Sequence, residues 1–289
     1  MEESYKTIRQ WRKEARAELE RAGDMDAAWD VDWMLCEVFE CGRAELKWIE
    51  GNDIRGEMGR QLHFWLHERM DGRPLQYILG HTGFMGIDIL CDERALIPRQ
   101  DTETLAELAL HRMQYVKNPS VLDLCTGTGA IGLTMKHYRP DAVVTLADIS
   151  EDALALAKKN ADALELNVRI LRGDLWEAVE GEKFDFILCN PPYLTDQDMK
   201  ELMEEVRREP ELALWGGSDG LGFYRRIAAG LDGALNENGE ALLEIGRGQE
   251  KDVADLMNAA GFCAEAHKDL CGIDRVIRVW RGQPADGMI

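Results

Sequence analysis

From Ser120 to Trp280, short apolar runs alternate with segments of helical periodicity, and this alternation constrains the fold more than any other feature. The apolar runs read as strands: SVLDLC, AVVTLADI, VRILRGD, FDFILCN, EALLEIG and a closing pair, FCAEAHKD and RVIRVW. Because repeated β–α units build a mostly parallel sheet with helices on both faces, we predict an α/β fold of this kind. The closing pair predicts an antiparallel hairpin at one edge of the sheet.

The chain before this region has a different pattern. Residues 1–75 carry apolar residues at helical spacing, which predicts a small helical bundle. We expect five of the eight tryptophans to lie in the core of this bundle: Trp11, Trp29, Trp33, Trp48 and Trp65. Alternatively, some of these rings would form a docking face for a partner. Residues 76–100 predict a β-hairpin linker, residues 101–282 the α/β domain, and residues 283–289 a loose tail.

The charge of the chain restricts its partners. The formal net charge is −20 and the isoelectric point is about 4.7. A phosphate backbone repels such a surface unless a basic stripe compensates, and the sequence contains no such stripe. We therefore predict no direct nucleic-acid partner and expect a basic protein partner to be favoured.

Three features favour a cytoplasmic protein without a membrane span. No apolar run approaches the roughly 18 residues that a span requires. The first residues, MEESYKTIRQ, have the pattern of neither a signal peptide nor an Arg-rich transit peptide. The seven cysteines are odd in number and form no C-x-x-C pair, which favours free thiols in a reducing compartment and argues against a metal site.

The segment VLDLCTGTGAIGL combines a buried strand, a glycine turn and a helix. Gly127, Gly129 and Gly132 fit the G-x-G-x-x-G pattern, and Asp148 follows at the end of the next strand. The pattern leaves two cofactors open, because glycines that admit a ligand and a carboxylate that accepts ribose hydroxyls suit any nucleoside. A nicotinamide dinucleotide of a dehydrogenase would place its pyrophosphate on the helix N-terminus, whereas S-adenosylmethionine has no phosphate.

A third strand end carries Asp174 and Leu175, in the segment LRGDLW. We expect Asp174 to accept a hydrogen bond from an adenine amine and Leu175 to pack on the ring. The structural alternative is that Asp148 and Asp174 only cap the helices that follow them. Three consecutive strand ends with fitting groups favour a bound nucleoside.

The strand FDFILC must end at Cys189, because Asn190 and two prolines follow and proline cannot donate to a sheet. The Asn190 side-chain oxygen and the Pro191 carbonyl can accept the two N–H groups of an amide or exocyclic amine and aim its lone pair at a methyl donor. Pro192 would keep that carbonyl rigid, and Tyr193 would stack on the planar substrate. Such a loop suits base amines in nucleic acid and glutamine side chains in protein, and the charge favours protein.

Eight segments, taken in order, resemble the PrmC/HemK family of bacterial peptide chain release factor N5-glutamine methyltransferases. They are PLQYILG, LIPRQDTE, DLCTGTGAIGL, ADIS, NPPY, EPELALWGGSDGLGFYRRI, EIGRGQ and DLCGIDRVI, which together extend over nearly the whole chain. The resemblance implies an all-α N-terminal domain, a hairpin linker, and a class I, Rossmann-like S-adenosylmethionine-dependent methyltransferase domain with a seven-stranded sheet. The substrate would be the glutamine of the Gly-Gly-Gln motif of a class 1 release factor, and the cofactor product would be S-adenosylhomocysteine.

The resemblance also implies roles for residues of this sequence. Cofactor contacts would come from Cys125, Thr126, Gly127, Thr128, Gly129, Asp148, Leu175 and Asn190. The substrate glutamine would meet Asn190, Pro191, Pro192 and Tyr193, with Asn190, Pro191 and Tyr193 as the catalytic residues. The chain departs from the family pattern at Cys125, where glycine is usual, and at Gln100, where proline is frequent.

Some alternatives remain open from the sequence. The substrate would otherwise be a glutamine of a ribosomal protein or, less favoured, the adenine N6 of DNA. We expect a monomer in which the helical domain recognises the substrate. Arg99 either contacts the cofactor carboxylate or pairs with Glu103, and Glu244 ends a strand near the site or only caps structure.

Overall fold

The computed structural model describes residues 6–282 and divides into two compact units. One comprises Met1–Gly80 with Glu204–Arg208, and the other comprises His81–Met203 with Glu209–Ile289. The sequence did not indicate that residues 204–208 belong to the first unit. The predicted loose tail, 283–289, lies outside the described residues. Within those described, no helix has both the length and the apolar character that crossing a membrane demands.

The first unit is helical. Its helices are α1 (Ile8–Ala22), α2 (Ala27–Phe39), α3 (Leu46–Ile49), α4 (Gly56–Met70) and α5 (Leu75–Leu79). A capping box of Thr7 and Gln10 begins α1, and Gly23 ends it in the left-handed conformation at a φ of 93°. The apolar stripes of these helices meet in one core, which includes Ile8, Leu19, Val31, Met34, Leu35, Leu46 and Leu62.

The tryptophans contribute less to this core than the sequence suggested. Trp11 is buried and Trp65 packs against the core. Trp29, Trp33 and Trp48 are instead 51%, 49% and 84% exposed, so the expectation of an indole-rich core is wrong for these three. On α2 the physical reason is spacing, because Trp29 and Trp33 lie out of phase with the buried aliphatic stripe of that helix.

Charged contacts hold the segment 204–208 within the helical unit. The guanidinium of Arg69, on α4, contacts Glu205 at 2.8 Å and also donates to Asp30 on α2. Arg208 donates to the carbonyl of Asp71 at 2.8 Å. The Arg69 side chain is only 9% exposed, so water screens its ion pairs weakly.

The second unit is the α/β part. A hairpin of β1 (His81–Phe84) and β2 (Ile87–Leu90) precedes the main sheet. The strands of that sheet are β3 (Ser120–Leu124), β4 (Val143–Asp148), β5 (Arg169–Arg172), β6 (Phe184–Cys189), β7 (Leu235–Glu244), β8 (Cys263–Lys268) and β9 (Asp274–Trp280). The α-helices are α6 (Gln100–Met113), α7 (Ala130–Tyr138), α8 (Glu151–Ala163), α9 (Asp196–Glu201), α10 (Gly222–Ala234) and α11 (Glu250–Ala259).

Over the described part of the chain, the main sheet has seven strands in the order β5-β4-β3-β6-β7-β9-β8. The first five in this order pair in parallel, whereas β9 pairs antiparallel with both β7 and β8. The central strands read as nearly continuous apolar runs because helices cover both faces of a parallel sheet. The predicted α/β fold with an antiparallel edge hairpin is confirmed.

Candidate active site

The loops after β3 and β6 lie side by side at the carboxyl edge of the sheet. Leu124, the last residue of β3, is the register partner of Cys189, the last residue of β6. The order of the strands in the sheet reverses between β3 and β6. From β3 the chain continues to β4 and β5 on one side, and from β6 it continues to β7 on the other. Open α/β sheets bind ligands at such a reversal, and here it brings the glycine loop next to the Asn-Pro-Pro-Tyr loop.

Both loops line one open cavity. Among the predicted site residues, its wall contains Cys125, Thr126, Gly127, Thr128, Asp148, Asp174, Leu175, Asn190 and Pro192. Gly129, Pro191 and Tyr193 are also described but do not line it. Other parts of the wall had not been assigned from motifs: the stretch from Arg94 to Pro98, Thr102, Leu212 and Phe223.

The glycine loop turns tightly between β3 and α7. Gly127 and Gly129 have left-handed φ values of 55° and 86°. A Cβ on Gly132 would lie 2.2 Å from Leu146, so glycine at this position lets α7 pack closely on the sheet. Asp123 fixes the loop, because its Oδ2 accepts from the Gly132 amide at 2.8 Å and from the Thr126 hydroxyl at 2.5 Å.

Two non-glycine residues of the cavity wall have left-handed backbones. Cys125 has a φ of 59° and Leu175 a φ of 52°. This conformation costs a residue with a side chain about 1–2 kcal/mol, and such residues cluster at ligand sites. The turn therefore forms with Cys125 in the position where glycine is usual, and it retains that conformational cost.

Asp148 ends β4, and two backbone amides hold its carboxylate. Its Oδ2 accepts from Gly127 at 2.9 Å and its Oδ1 from Ser150 at 2.9 Å. Burial raises the pKa of this carboxyl, and the amide hydrogen bonds oppose the shift. The capping side chain of α8 is Ser150, which accepts from the Ala153 amide, so the alternative of Asp148 as a mere helix cap is wrong. An ionised carboxylate has about four lone-pair sites, which leaves Asp148 acceptor capacity at the cavity wall.

Asp174 precedes a 3₁₀ helix, Leu175–Val179, and makes no side-chain cap bond to it. Its carboxylate instead forms an ion pair with Arg226 at 2.7 Å. Leu175 is 5% exposed and lines the cavity beside it. The capping alternative is therefore wrong for Asp174 as well, and the pair presents one polar and one apolar group to the cavity.

Asn190 follows directly on β6, which ends at Cys189 as predicted. Its side-chain Nδ2 donates to Thr102 Oγ1, on α6, at 3.2 Å. Asn190 and Thr102 both line the cavity. Because the amide nitrogen of Asn190 is engaged, its side-chain oxygen is the group that remains to accept from a ligand.

The rest of the loop is supported from behind. Tyr193 packs against the core of the α/β unit, and burial raises the pKa of its hydroxyl to about 12. Its carbonyl accepts from Gln249 Nε2 at 3.1 Å. Gly216 lies so close that a Cβ there would stand 2.7 Å from the Pro192 carbonyl oxygen. These contacts leave the loop little freedom to shift.

Glu209 is a buried residue that the sequence analysis missed. Its Oε2 accepts from the Ile97 amide at 3.0 Å, and its Oε1 forms an ion pair with Arg99. The expected alternative of an Arg99–Glu103 pair is wrong, because Glu103 accepts from the Met85 amide at 2.7 Å. Glu209 and Arg99 lie 110 positions apart, so no spacing rule connects them, although both fall in segments that resembled the family.

Glu244 ends β7 and is 2% exposed. Burial raises the pKa of its carboxyl group to about 7, and the Thr102 side chain opposes that shift. Its Oε2 has no hydrogen-bond partner among the described residues. The surroundings of Glu244 include Thr102, whose hydroxyl accepts from Asn190 Nδ2.

Two solved structures share this architecture. A methyltransferase from Pyrococcus furiosus matches with a TM-score of 0.53 at 17% identity, over 78% of this chain and 99% of that one. The 16S rRNA N2 G1207 methyltransferase RsmC from Thermus thermophilus matches with a TM-score of 0.51 at 20% identity, over 70% and 50% of the two chains. Residues 98–214 match the Methyltransferase small domain, and residues 10–80 match the PrmC N-terminal domain.

Sequence relatives are more specific. A release factor glutamine methyltransferase of Clostridium acetobutylicum is 39% identical over 240 residues, 81% of this chain and 82% of the relative. One of Geobacter sulfurreducens is 36% identical over 273 residues, 94% and 95% of the two chains. The family model and these relatives show an S-adenosylmethionine-dependent methyltransferase, and the sheet has the Rossmann-like class I fold. Within that class the chain belongs to the release factor glutamine methyltransferase family, which confirms the resemblance.

Proposed function

We propose that the protein transfers a methyl group from S-adenosylmethionine to the side-chain amide nitrogen, N5, of the glutamine in the Gly-Gly-Gln motif of class 1 peptide chain release factors. Family membership supports the reaction, and the names of the relatives favour a release factor over a ribosomal protein or DNA as the substrate. The proposal depends most on the position of Asn190. This residue lines the cavity beside the glycine loop, and its side-chain nitrogen donates a hydrogen bond to Thr102.

The cavity residues fit the cofactor. Gly127 lines the cavity with bare backbone, and a Cβ there would be 3.9 Å from its nearest neighbour, Ala95 Cβ. Asp148 offers acceptors for ribose hydroxyls, Asp174 for the adenine amine, and Leu175 an apolar surface for the ring. We assign the cofactor contacts to Cys125, Thr126, Gly127, Thr128, Gly129, Asp148, Asp174, Leu175 and Asn190.

The chemistry is a transfer between sulfur and nitrogen. When bound, S-adenosylmethionine supplies a sulfonium methyl group, which the glutamine nitrogen takes with its lone pair while the electrons of the broken bond stay on sulfur and one nitrogen proton leaves to water. An amide nitrogen is a poor nucleophile because its lone pair is delocalised. The Asn190 side-chain oxygen and the Pro191 carbonyl would each accept one N–H group, which orients the nitrogen and concentrates its lone pair.

The neighbouring loop residues support this positioning. Pro192 lines the cavity and restricts the backbone around the Pro191 carbonyl. We retain Pro191, Pro192 and Tyr193 as substrate-contacting residues because they are continuous with Asn190, and we retain Asn190, Pro191 and Tyr193 as the catalytic set. The packing of Tyr193 against the core, and of Gly216 against this loop, supports a rigid arrangement of that kind.

The proposal extends to the partner. We propose that the helical unit recognises the release factor and that the enzyme acts as a cytoplasmic monomer without direct contact to nucleic acid. The net charge of −20 supports a basic protein partner and disfavours phosphate backbones. For domain roles we keep the predicted division into 1–75, 76–100 and 101–282.

Methyl transfer to a purified class 1 release factor tests the function. The protein is incubated with S-adenosylmethionine and either the intact release factor or its Gln→Ala variant in the Gly-Gly-Gln motif, and the products are analysed by mass spectrometry. We expect a single added methyl group on that glutamine and none on the variant. Equal methylation of the variant, or labelling only of ribosomal protein or duplex DNA, would refute the proposal.

A further inference from the structure

One wall of the cavity is built from irregular backbone. Residues 91–99, which connect β2 to α6, form neither helix nor strand, and the cavity is lined by the stretch from Arg94 to Arg99. The Cβ of Ala95 lies 3.9 Å from the position that a Cβ on Gly127 would take, so this wall stands directly against the glycine loop. Backbone of this kind has no ladder or helical turn to hold it, so its position depends on side chains from other elements.

A buried asparagine joins this wall to the glycine loop. Asn160, on α8, is 0% exposed, and its Oδ1 accepts from the Leu90 amide at 2.7 Å. Its Nδ2 donates to the Leu90 carbonyl at 3.1 Å and to the Thr128 carbonyl at 2.9 Å. Leu90 ends β2, directly before the irregular wall, and Thr128 lies in the glycine loop and lines the cavity. One planar group therefore sets the distance between the two.

The partners of Asn160 require a carboxamide. Its oxygen meets one donor, and its NH₂ group meets two acceptors, both of which are backbone carbonyls. An ionised carboxylate of the same shape has no proton to donate and would face both carbonyls with an oxygen. An aliphatic side chain would leave three backbone groups without this partner, which is unfavourable.

A second buried side chain holds the far end of the wall. Glu209 is 6% exposed, and it binds the Ile97 amide through Oε2 at 3.0 Å and the Arg99 guanidinium through Oε1. Between these two anchors, Ala95 packs against α8 in a small apolar cluster. Asn160 and Glu209 are both described and neither lines the cavity, so each can act on a ligand there only through the residues that it holds.

We infer that Asn160 and Glu209 are positioning residues that hold the wall of residues 91–99 where S-adenosylmethionine binds. The inference rests on the proposed function, which assigns this cavity to the cofactor. If the wall left its position, the cofactor would bind only the fraction of molecules in which the wall is correctly placed. The apparent Kd rises in inverse proportion to that fraction, so a wall correctly placed in about one molecule in ten means a Kd about tenfold higher.

The first test changes the donors of Asn160 without changing its shape. Asn160→Asp keeps the oxygen that accepts from Leu90 and replaces the NH₂ group that donates to Leu90 and Thr128. We expect the Kd for S-adenosylmethionine, measured by calorimetry, to rise by about tenfold or more. At saturating cofactor, kcat toward the release factor should fall much less.

Asn236→Asp is the matched control. Asn236 Nδ2 donates to Asp185 Oδ1 at 2.7 Å near the start of β6, at the other end of that strand from Asn190. The same substitution there also sets an oxygen against an acceptor, but far from the cavity wall. The Kd should stay within about twofold of the wild type, because a loss of stability alone does not change the affinity of the molecules that remain folded.

The second test measures the wall directly by hydrogen exchange. We expect the amides of residues 91–99 to exchange at least about tenfold faster in Asn160→Asp than in the wild type, and at the wild-type rate in Asn236→Asp. Glu209→Gln keeps an acceptor for the Ile97 amide and loses the charge that pairs with Arg99. It should likewise raise the Kd and the exchange rate of this segment, and it supplies the readout if Asn160→Asp does not fold.

The outcomes separate the two levels. If the wild type neither binds S-adenosylmethionine nor methylates the release factor, the proposed function fails and the inference fails with it. If the wild type is active but a folded Asn160→Asp, or in its absence a folded Glu209→Gln, binds the cofactor as tightly as the wild type, the inference alone is overturned.

Discussion

The Gly127 amide donates to Asp148 Oδ2 over 2.9 Å, so the end of β4 holds the glycine turn that follows β3. The same carboxylate accepts from Ser150 through its other oxygen. Asp148 would accept hydrogen bonds from the ribose hydroxyls of the cofactor, and it also supports the glycine loop against which the cofactor would lie. Substitutions of this carboxylate should therefore weaken cofactor binding more than they slow the transfer step.

Asp148→Asn should weaken cofactor binding. Asparagine offers one acceptor oxygen, and its NH₂ group would face either the Gly127 or the Ser150 amide, both of which are donors. Hydrogen bonds to a charged group contribute about 1.5–3 kcal/mol, so we expect the S-adenosylmethionine Kd from calorimetry to rise by about tenfold or more. The kcat at saturating cofactor should change much less.

The control for this change is Asp162→Asn, which removes a charge from an exposed site that pairs only with Lys158 among the contacts described. Its Kd should match that of the wild type. Equal Kd values for Asp148→Asn and the wild type would contradict the assigned role of Asp148.

Gly216→Ala should disturb the Asn-Pro-Pro-Tyr loop without altering any group in the cavity. A Cβ at this buried position would lie 2.7 Å from both the Pro192 oxygen and the Tyr193 Cα, so the loop must move. Overpacking of this kind costs typically about 1–3 kcal/mol, and we expect kcat to fall by roughly tenfold or more. Gly233→Ala is the matched control, because a Cβ there meets nothing within 4 Å. It should keep full activity; unchanged kcat in both variants would show that the loop position is not critical.

Cys125→Gly and Cys125→Ala should differ in stability. Both remove the sulfur, but only glycine relieves the left-handed backbone at a φ of 59°. The free energy of unfolding, measured with urea, should be higher for Cys125→Gly than for Cys125→Ala by about 1 kcal/mol. The reverse order would indicate that this backbone conformation carries no strain.

Asp123→Asn should change how stability depends on pH. Burial raises the pKa of Asp123 from 3.8 to about 7, and its Oδ1 has no partner among the described residues. A folded-state pKa above the unfolded value means that this group's contribution is fully present below about pH 4 and is lost as pH rises towards 7. The decrease in unfolding free energy between these pH values should therefore be smaller in Asp123→Asn than in the wild type.

Glu244 titrates in the same direction, so the decrease should shrink in Asp123→Asn rather than vanish. Asp219→Asn is a suitable control, because hydrogen bonding to Arg225 lowers the pKa of this exposed carboxyl to about 2. The titration of Asp219 therefore falls below the pH range of the experiment. Identical pH profiles for Asp123→Asn and the wild type would show that Asp123 is not protonated in the native state.

The sequence predicted those parts of the site that depend on local chemistry. Two prolines after Cys189 can only end a strand, and glycines after Leu124 can only make a tight turn before a helix. The adjacency of these loops follows from the parallel order of the strands, as the register of Leu124 and Cys189 shows. The family resemblance then connected these features to a reaction.

Contacts between distant segments were not predictable in this way. Arg99 and Glu209, or Thr102 and Asn190, are joined across 110 and 88 positions by side chains that give no periodic signal. The burial of three tryptophans was predicted wrongly for a related reason. Large rings increase the hydrophobicity of a segment whichever face they occupy, so Trp48 contributed to a predicted core from which it is absent.

The assignment of residues 204–208 to the helical unit limits how far this protein is modular. The polypeptide passes between its two units at Gly80, again after Met203 and once more after Arg208. A fragment that stops at residue 80 would contain Arg69 without its partner Glu205. The remaining fragment would contain residues 204–208 without the helices that they contact. No single cut in the chain therefore separates the two units intact.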